Sequence, residues 1–259
     1  MHRRAQNLER ETRRSAMILA LSALVVGGTA FAIPWLRKPT RASGTACLAG
    51  LHQRKTIILI DRTDPWTAST ASLISASLTR IAETSTTDER LQLLAFDGSA
   101  AVLPKPIFDR CRPPSTGNIV TETPQRVARL PAEQFTAPLL DAVQALSKPS
   151  SASRTELVQM LAVLAAHARL EVPAETTTLH VFSDMNENST AFSFAKRPAQ
   201  PPELFAAHFA ASIGERLKGV SVHVHVFPPF GSGRADPRIE RAWRAAFTRL
   251  AVQFTWSAL

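Results

Sequence analysis

Hydrophobic runs that suit buried strands alternate with helical patterns from about residue 55 onward. The first run, residues 56–60, is β-branched and apolar throughout and stops at Asp61, which is typical of a strand covered on both faces of a parallel sheet. A helical pattern follows at 66–82, and further strand-like runs begin near 91, 177 and 220. This alternation predicts right-handed βαβ crossovers and an α/β domain with a mostly parallel, Rossmann-like sheet.

An edge strand and a final helix are also predicted. Residues 101–106 form an extended run shortly after the strand at 91–96, so we expect an antiparallel strand there. Pro104 and Pro106 have no N–H to donate, which predicts an edge position for that strand. At the other end of the chain, apolar residues spaced by three and four predict one helix that begins near Pro237 and includes Phe254.

An uncharged hydrophobic segment runs from residue 15 to residue 36. As a helix, its roughly twenty residues are long enough to cross the ~30 Å hydrocarbon layer of a bilayer. Residues 30–32, Ala-Phe-Ala, match the small-x-small pattern that signal peptidase cleaves, so a cleaved signal peptide is the alternative. The apolar run continues to Trp35 and Leu36 before basic residues follow, and this favours an uncleaved signal anchor.

The chain is therefore divided into a basic cytoplasmic tail (1–14), a transmembrane signal anchor (15–36), a linker (37–46) and one domain (47–259). Five arginines precede the anchor and three basic residues follow it closely, which favours an N-terminus inside the cell. We expect a single-pass protein of the cytoplasmic (inner) membrane whose C-terminal domain lies outside the cytoplasm.

The basic charge of the chain is concentrated around that hydrophobic segment. The chain has 30 Lys and Arg against 21 Asp and Glu, and residues 1–41 hold eight of the basic residues and two of the acidic ones. Such a distribution is typical of membrane topology signals and does not form a phosphate-binding face. We therefore expect no nucleic-acid partner.

Two cysteines, Cys47 and Cys111, both follow the hydrophobic segment. In an exported domain such a pair is a disulfide candidate. Cys47 precedes the first strand, and the antiparallel third strand returns the chain to the same end of the sheet before Cys111. A bridge is therefore feasible if the linker leans across the neighbouring strand.

Three short polar motifs lie where predicted strands end or a helix begins. They are Asp61-Arg62-Thr63-Asp64-Pro65, Phe135-Thr136-Ala137-Pro138-Leu139 and Ser183-Asp184-Met185. Carboxylates and hydroxyls are the oxygen ligands of hard divalent cations such as Mg²⁺. Together the motifs resemble the metal-ion-dependent adhesion site of von Willebrand factor A (vWA) domains. In that family an Asp-x-Ser-x-Ser motif follows the first strand, a Thr opens a later helix and an Asp closes the fourth strand.

The resemblance covers roughly residues 56–227 and implies a protein-binding function. It implies that Mg²⁺ or Mn²⁺ is held by four residues, Asp61, Thr63, Thr136 and Asp184. Pro65 departs from the pattern, because it stands where the family has a second Ser and so removes one direct ligand. Without a cation, the same polar side chains would cap turns and a helix. The family's usual sixth strand is expected to be missing, because the predicted last element is a helix.

Residues 112–135 are rich in proline and are predicted to form a long loop that ends at Thr136. Loops of this length in compact domains are usually functional or disordered. Together with Arg62 and Asn186, this loop is expected to ring the strand ends and to contact a protein partner.

Two other activities fit parts of the sequence. A haloacid dehalogenase-like phosphohydrolase also begins with a hydrophobic strand ending in Asp, but it needs a second carboxylate where Thr63 stands. His180, His223 and His225 suggest zinc, but no cysteine or carboxylate joins them in sequence, so histidines packed under a helix are expected instead. The predicted function is a membrane-tethered, vWA-like protein-interaction module that acts by binding, with the phosphohydrolase as the alternative.

Overall fold

The computed structural model describes residues 16–24, 41–48, 54–117, 123–146, 152, 154–171, 177–196, 201–229 and 235–259. The chain divides into two compact units, Met1–Thr40 and Arg41–Leu259. In the first unit, residues 16–24 form a helix, α1. The rest of the predicted anchor lies outside the described residues, and within the described ranges no helix combines the length and hydrophobicity needed to cross a bilayer.

The second unit is built on a single six-stranded sheet. Its strands are β1 (Lys55–Asp61), β2 (Arg90–Phe96), β3 (Phe108–Cys111), β4 (Thr177–Ser183), β5 (Ser221–Val226) and β6 (Gln253–Ala258). The strand order is β3-β2-β1-β4-β5-β6, and β3 is antiparallel to β2 whereas the other neighbours pair in parallel. The predicted α/β fold with a mostly parallel sheet and an antiparallel edge strand is confirmed.

Helices cover both faces of this sheet. They are α2 (Ala68–Thr84), α3 (Pro124–Pro131), α4 (Ala137–Ala145), α5 (Leu157–Glu171), α6 (Pro202–Ile213) and α7 (Pro237–Arg249). One core layer packs α2 and α4 against Ile58 and Ile60 of β1, and the other packs α5, α6 and α7 against Ile57 and Leu59. Because helices lie on both sides, β1 is buried along its whole length, as its continuous apolar run predicted.

The antiparallel edge strand lies further along the chain than predicted. Residues 101–106 are irregular, and β3 begins only at Phe108, which pairs with Leu93. The first two residues of β3, Phe108 and Asp109, make packing and hydrogen-bond contacts that hold the strand at this position. The ring of Phe108 packs edge-on against Phe135 at 5.5 Å, and Arg90 of β2 binds the Asp109 carboxylate through two hydrogen bonds of 2.8 and 2.7 Å.

The expectation that the sixth strand is missing is wrong. Helix α7 ends at Arg249, Ala251 takes a positive φ of 50°, and β6 then runs parallel to β5. Phe254 and Trp256, two residues apart, pack on the same core layer as α7. Phe254 happens to continue the three-and-four spacing of the apolar residues of α7. In β6, however, the apolar residues recur every second position, as in a strand, and β6 forms hydrogen bonds with β5.

The predicted loop at 112–135 is also largely wrong. Helix α3 begins at Pro124, and a π-helical turn, Ala132–Thr136, joins it to α4 without a break. Proline at the first turn of a helix is well tolerated because that N–H has no partner in the helix. The buried residues Val127, Pro131, Phe135 and Leu139 recur every four positions, which shows the helical pattern that the prolines obscured.

The disulfide prediction is confirmed. Cys47 and Cys111 form a disulfide with their Cα atoms 4.8 Å apart. The backbone N–H of Cys111 also donates to the carbonyl of Thr45, at 2.8 Å. The bridge therefore ties the segment before β1 to the last residue of the edge strand.

Candidate functional site

Asp61 is the centre of a buried polar network at the carboxyl end of β1. Its Oδ1 accepts hydrogen bonds from the backbone N–H of Thr63 (2.9 Å) and from the Thr63 hydroxyl (2.7 Å). Its Oδ2 accepts a hydrogen bond from the Ser183 hydroxyl at 2.7 Å. Asp61 is only 3% exposed, so these three donors satisfy a carboxylate that water barely reaches.

Parallel pairing explains why the residues meet. Ile60 of β1 pairs with Phe182 of β4, so Asp61 and Ser183 are the next residues along two neighbouring strands. Carboxyl ends of parallel strands meet at one edge of the sheet, which is the usual place for functional side chains in such folds. The prediction that the first and third motifs lie together is thus met by the geometry of these two strands.

Asp184 follows Ser183 and is the second buried carboxylate of this edge. It is 6% exposed, and its Oδ1 accepts a hydrogen bond from the backbone N–H of Asn186 at 2.9 Å. Burial, and then the nearby negative charge of Asp61, raise the pKa of Asp184 to about 7. Burial also raises the pKa of Asp61, against the opposing effect of the hydrogen bonds from Thr63 and Ser183. The two carboxylates therefore disfavour each other's ionised form.

The turn after β4 is fixed by further hydrogen bonds. The Ser183 hydroxyl accepts from the backbone N–H of Met185 at 2.8 Å while it donates to Asp61. Met185 has a positive φ of 61°, and its carbonyl accepts a hydrogen bond from the indole N–H of the buried Trp243, at 2.8 Å. A residue of α7 thus holds the turn that presents Asp184.

Gly98, just after β2, lies at the same edge of the sheet, between Thr63 and the segment that precedes α5. Its φ is +98°, and a Cβ at this position would lie 2.3 Å from the carbonyl oxygen of Arg154 and 3.3 Å from Thr63 Cγ2. The Gly98 carbonyl accepts a hydrogen bond from the backbone N–H of Glu156 at 3.0 Å. The chain before α5 therefore packs directly on the turn beside Thr63.

The backbone around Thr136 differs from the expectation, and its part in holding a cation stays a prediction. It was expected to open a helix after a loop, but it lies inside the continuous helical stretch, at the end of the π-helical turn. Its side chain makes no capping hydrogen bond, and within the described residues no hydrogen bond joins it to Asp61, Thr63 or Asp184. The network contains Ser183 instead.

Ser183 belongs to the third motif but is not one of the four residues that the resemblance assigns to the cation. The signal that identifies it is its position: a hydroxyl residue ends the strand that pairs with β1, one residue beyond the Ile60–Phe182 pair. Strand pairing is a tertiary property, so the sequence pattern alone does not place Ser183 beside Asp61.

The two predicted partner-binding residues each make contacts within the domain. The backbone N–H of Arg62 donates to the Phe96 carbonyl at 2.9 Å, and its Nη1 lies 3.5 Å from Asp97 Oδ1. The Arg62 side chain is 17% exposed. Asn186 is half-buried, and its backbone N–H binds Asp184. Their part in binding a partner remains a prediction.

The donor set suits a hard divalent cation in its chemistry. Two carboxylates and two hydroxyls are oxygen ligands of the kind that Mg²⁺ and Mn²⁺ take, usually completed by water. The described part of the chain holds no group of three His, Cys, Asp or Glu side chains arranged for a metal ion. Any cation at this edge therefore depends on the hydroxyls of Thr63 and Ser183 beside Asp61 and Asp184.

The three histidines considered for zinc lie together on the opposite face of β4 and β5 from the α5–α7 layer. The rings of His180 and His223 stack with centroids 4.7 Å apart, and His180 Nδ1 lies 2.9 Å from His225 Nε2. Hydroxyls of β6 complete this histidine stack: Thr255 lies 2.8 Å from His223 Nδ1, and Ser257 lies 3.3 Å from His225 Nδ1. All three side chains are half-buried.

The similarity of this chain to known proteins is structural. No family model matches the sequence, and no curated protein matches it. Similar solved structures include the conserved hypothetical protein BatB from Bacteroides thetaiotaomicron, at 13% sequence identity and a TM-score of 0.39 over 79% of this chain and 90% of that one. Another is the PilB minor pilin from Streptococcus sanguinis, at 10% identity and a TM-score of 0.40 over 84% of this chain and 62% of that one.

Proposed function

We propose that residues 47–259 form a vWA-like protein-interaction module that binds its partner at the carboxyl edge of the sheet. The observation that carries this proposal is the network in which Asp61 joins Thr63 to Ser183, with Asp184 beside them. The parallel sheet with one antiparallel edge strand supports the same assignment.

Binding is favoured over catalysis by the state of Asp61. Both of its carboxylate oxygens accept short hydrogen bonds inside the domain, so the group is held in place and is not free to attack a substrate. The position two residues on is Thr63, whose hydroxyl donates to Asp61. A phosphohydrolase of the haloacid dehalogenase type would need a second carboxylate there to move the proton.

The proposal includes Mg²⁺ or Mn²⁺ at this edge, held by Asp61, Thr63 and Asp184 with Ser183 beside them. Bound there, the cation would supply positive charge and an open coordination position for an oxygen ligand of the partner. The protein side chains fix the geometry: Ser183 and Thr63 orient the Asp61 carboxylate, and Trp243 holds the turn that carries Asp184. Thr136 belongs to the proposal only through the family resemblance.

Thermal melting tests the cation. The full chain, purified in detergent, is expected to melt at a higher temperature as millimolar Mg²⁺ or Mn²⁺ fills the site, because the cation binds the folded state. Asp61→Ala should abolish the increase, whereas Asp141→Ala, an exposed carboxylate on α4, should preserve it. A melting temperature that ignores both cations would contradict cation binding and leave a metal-free interaction domain.

Partner capture tests the binding face. We expect Arg62→Glu to reduce the amount of partner recovered with the protein after cross-linking in cells, more than Arg241→Glu does on the exposed face of α7. Equal losses would place the interface elsewhere. Hydrolysis of a generic phosphate ester that disappears in Asp61→Asn would instead support the phosphohydrolase.

We further propose that the module is tethered by residues 15–36 to the outer face of the cytoplasmic membrane. The hydrophobic segment and its flanking arginines support this placement. The Cys47–Cys111 disulfide also supports it, because such bonds persist in oxidising compartments.

A further inference from the structure

A cavity of about 400 Å³ opens at the carboxyl ends of β4, β5 and β6, beside the first turn of α7. Its volume falls within the range of pockets that take small ligands or single side chains. Apolar groups form much of its wall, among them Val226, Ile239, Trp256 and the prolines Pro228 and Pro237. Such a wall suits an aliphatic chain rather than a hydrated ion.

Three carboxylates also line the cavity, and they differ in their partners. Asp236 is paired with Arg238 at 2.5 Å, and Glu240 is paired with Arg244 at 2.8 Å. Asp184 accepts hydrogen bonds from backbone groups, among them the N–H of Asn186 at 2.9 Å, and within the described ranges no salt bridge reaches it. Among the described residues, Asp184 is therefore a buried carboxylate on the cavity wall that forms no salt bridge.

The surroundings of Asp184 strengthen the negative potential. Asp61 and Asp64 lie close enough to interact with it as like charges. A cation that enters a partly apolar cavity of this kind is attracted more strongly than it would be on an open surface.

We propose that this cavity binds a basic side chain of the partner protein, with its aliphatic stem along Ile239 and Trp256 and its cationic head at Asp184. A guanidinium or ammonium group would supply the compensating charge and hydrogen-bond donors. This inference rests on the proposed interaction function for the source of the basic group, and it concerns the domain without a divalent cation, because Asp184 cannot bind a metal ion and a basic head at the same time. A free diamine has the same chemistry and is the competing source.

Calorimetric titration with a matched pair of compounds tests the inference. The full chain in detergent, at mildly alkaline pH and with EDTA present, is titrated with Nα-acetyl-arginine amide and with its neutral isostere, Nα-acetyl-citrulline amide. We expect the arginine compound to bind at least about tenfold more tightly. Equal affinities, or no heat of binding from either compound, would overturn the inference.

Three variants localise the effect. Asp184→Asn is expected to reduce the affinity for the arginine compound to that for the citrulline compound. Ala258→Phe fills the cavity without changing charge and should abolish binding of both compounds, so it tests the inference even if Asp184→Asn does not fold. Glu215→Gln, an exposed carboxylate in the turn after α6, should change nothing. Undiminished binding by Ala258→Phe would reject the cavity.

Two further outcomes separate the proposals. If 1,5-diaminopentane binds more tightly than the arginine compound, the ligand is a free amine and the assignment to a partner side chain is wrong. Because the titration excludes divalent cations, arginine binding without a Mg²⁺-dependent melting shift would support the cavity and reject the cation. A melting shift without arginine binding would reject the cavity alone.

Discussion

Gly98, at this edge of the sheet, is a position that leaves no room for a side chain. It combines a positive φ with a carbonyl oxygen, that of Arg154, 2.3 Å from the position of a Cβ. Neither the backbone nor the neighbouring chain leaves room for a methyl group. We expect Gly98→Ala to lower the free energy of unfolding by about 3 kcal/mol, since overpacking and left-handed strain add.

Gly214, at the end of α6, provides the control for that prediction. Its φ is +57°, but nothing lies within 4 Å of the position of its Cβ. Gly214→Ala should therefore cost the backbone component alone, about 1–2 kcal/mol for a φ of 57° and ψ of −138° that L residues rarely adopt, and less than Gly98→Ala. Urea denaturation of both variants measures the difference, and equal losses would contradict the close approach at Gly98.

Among the elements of the sheet, the histidine stack on β4 and β5 makes the stability of the fold depend on pH. Burial, and then the charges of His223 and His225, lower the pKa of His180 to about 3, and burial and His223 lower that of His225 to about 4. In the unfolded chain a histidine takes up its proton near pH ~6.5. The unfolded state therefore binds more protons below that pH, and the stability contributed by the neutral stack is lost as the pH falls from about 6.5 toward 4.

A comparison of variants isolates this effect from other groups that titrate in the same range. Near pH ~4.5 we expect His180→Gln to be stabilised by about 2 kcal/mol relative to the native chain, after its offset at neutral pH is subtracted. Ser72→Ala, an exposed position on α2 with no titratable group, should show no such pH-dependent gain. Chemical denaturation across the pH range is the measurement, and parallel curves for the two variants would contradict the stack as the source.

The disulfide links two elements that are 64 residues apart in sequence. Closing a loop of this length is expected to stabilise the folded chain by about 4 kcal/mol through the entropy of the unfolded state. Mass spectrometry of unreduced peptides from exported protein should find Cys47 joined to Cys111, and reduction should lower the unfolding free energy. Two free thiols in that sample would contradict both the bridge and the oxidising compartment.

At the scale of the whole molecule, the membrane anchor remains a prediction. Five arginines before residue 15 and the continuous apolar run to residue 36 predict a retained N-terminus inside the cell and an accessible domain outside. Protease added to unlysed spheroplasts should digest residues 47–259. The N-terminal tail should be cut only after the spheroplasts are lysed. A soluble mature form that begins at Ile33 would show that the segment is a cleaved signal peptide.

The strands of the parallel core could be predicted because their evidence is local. Residues 57–60 are all apolar, a pattern typical of a strand that is covered on both faces. The elements that were misplaced share a different cause. Phe254 continues a helical spacing from α7, and Pro124 and Pro131 suggest a loop, so the local patterns pointed away from the folded result.

The candidate site shows the same division. Asp61, Thr63 and Asp184 could be recognised from the sequence because they follow hydrophobic runs, and the parallel sheet and the cysteine pair could be recognised as well. The sequence did not predict that Ser183 lies beside Asp61, that Thr136 lies inside a continuous helix, or that β6 pairs with β5. The physical reason is that hydrogen bonds between strands and packing between layers join residues far apart in sequence, and these contacts override local propensity where the two disagree.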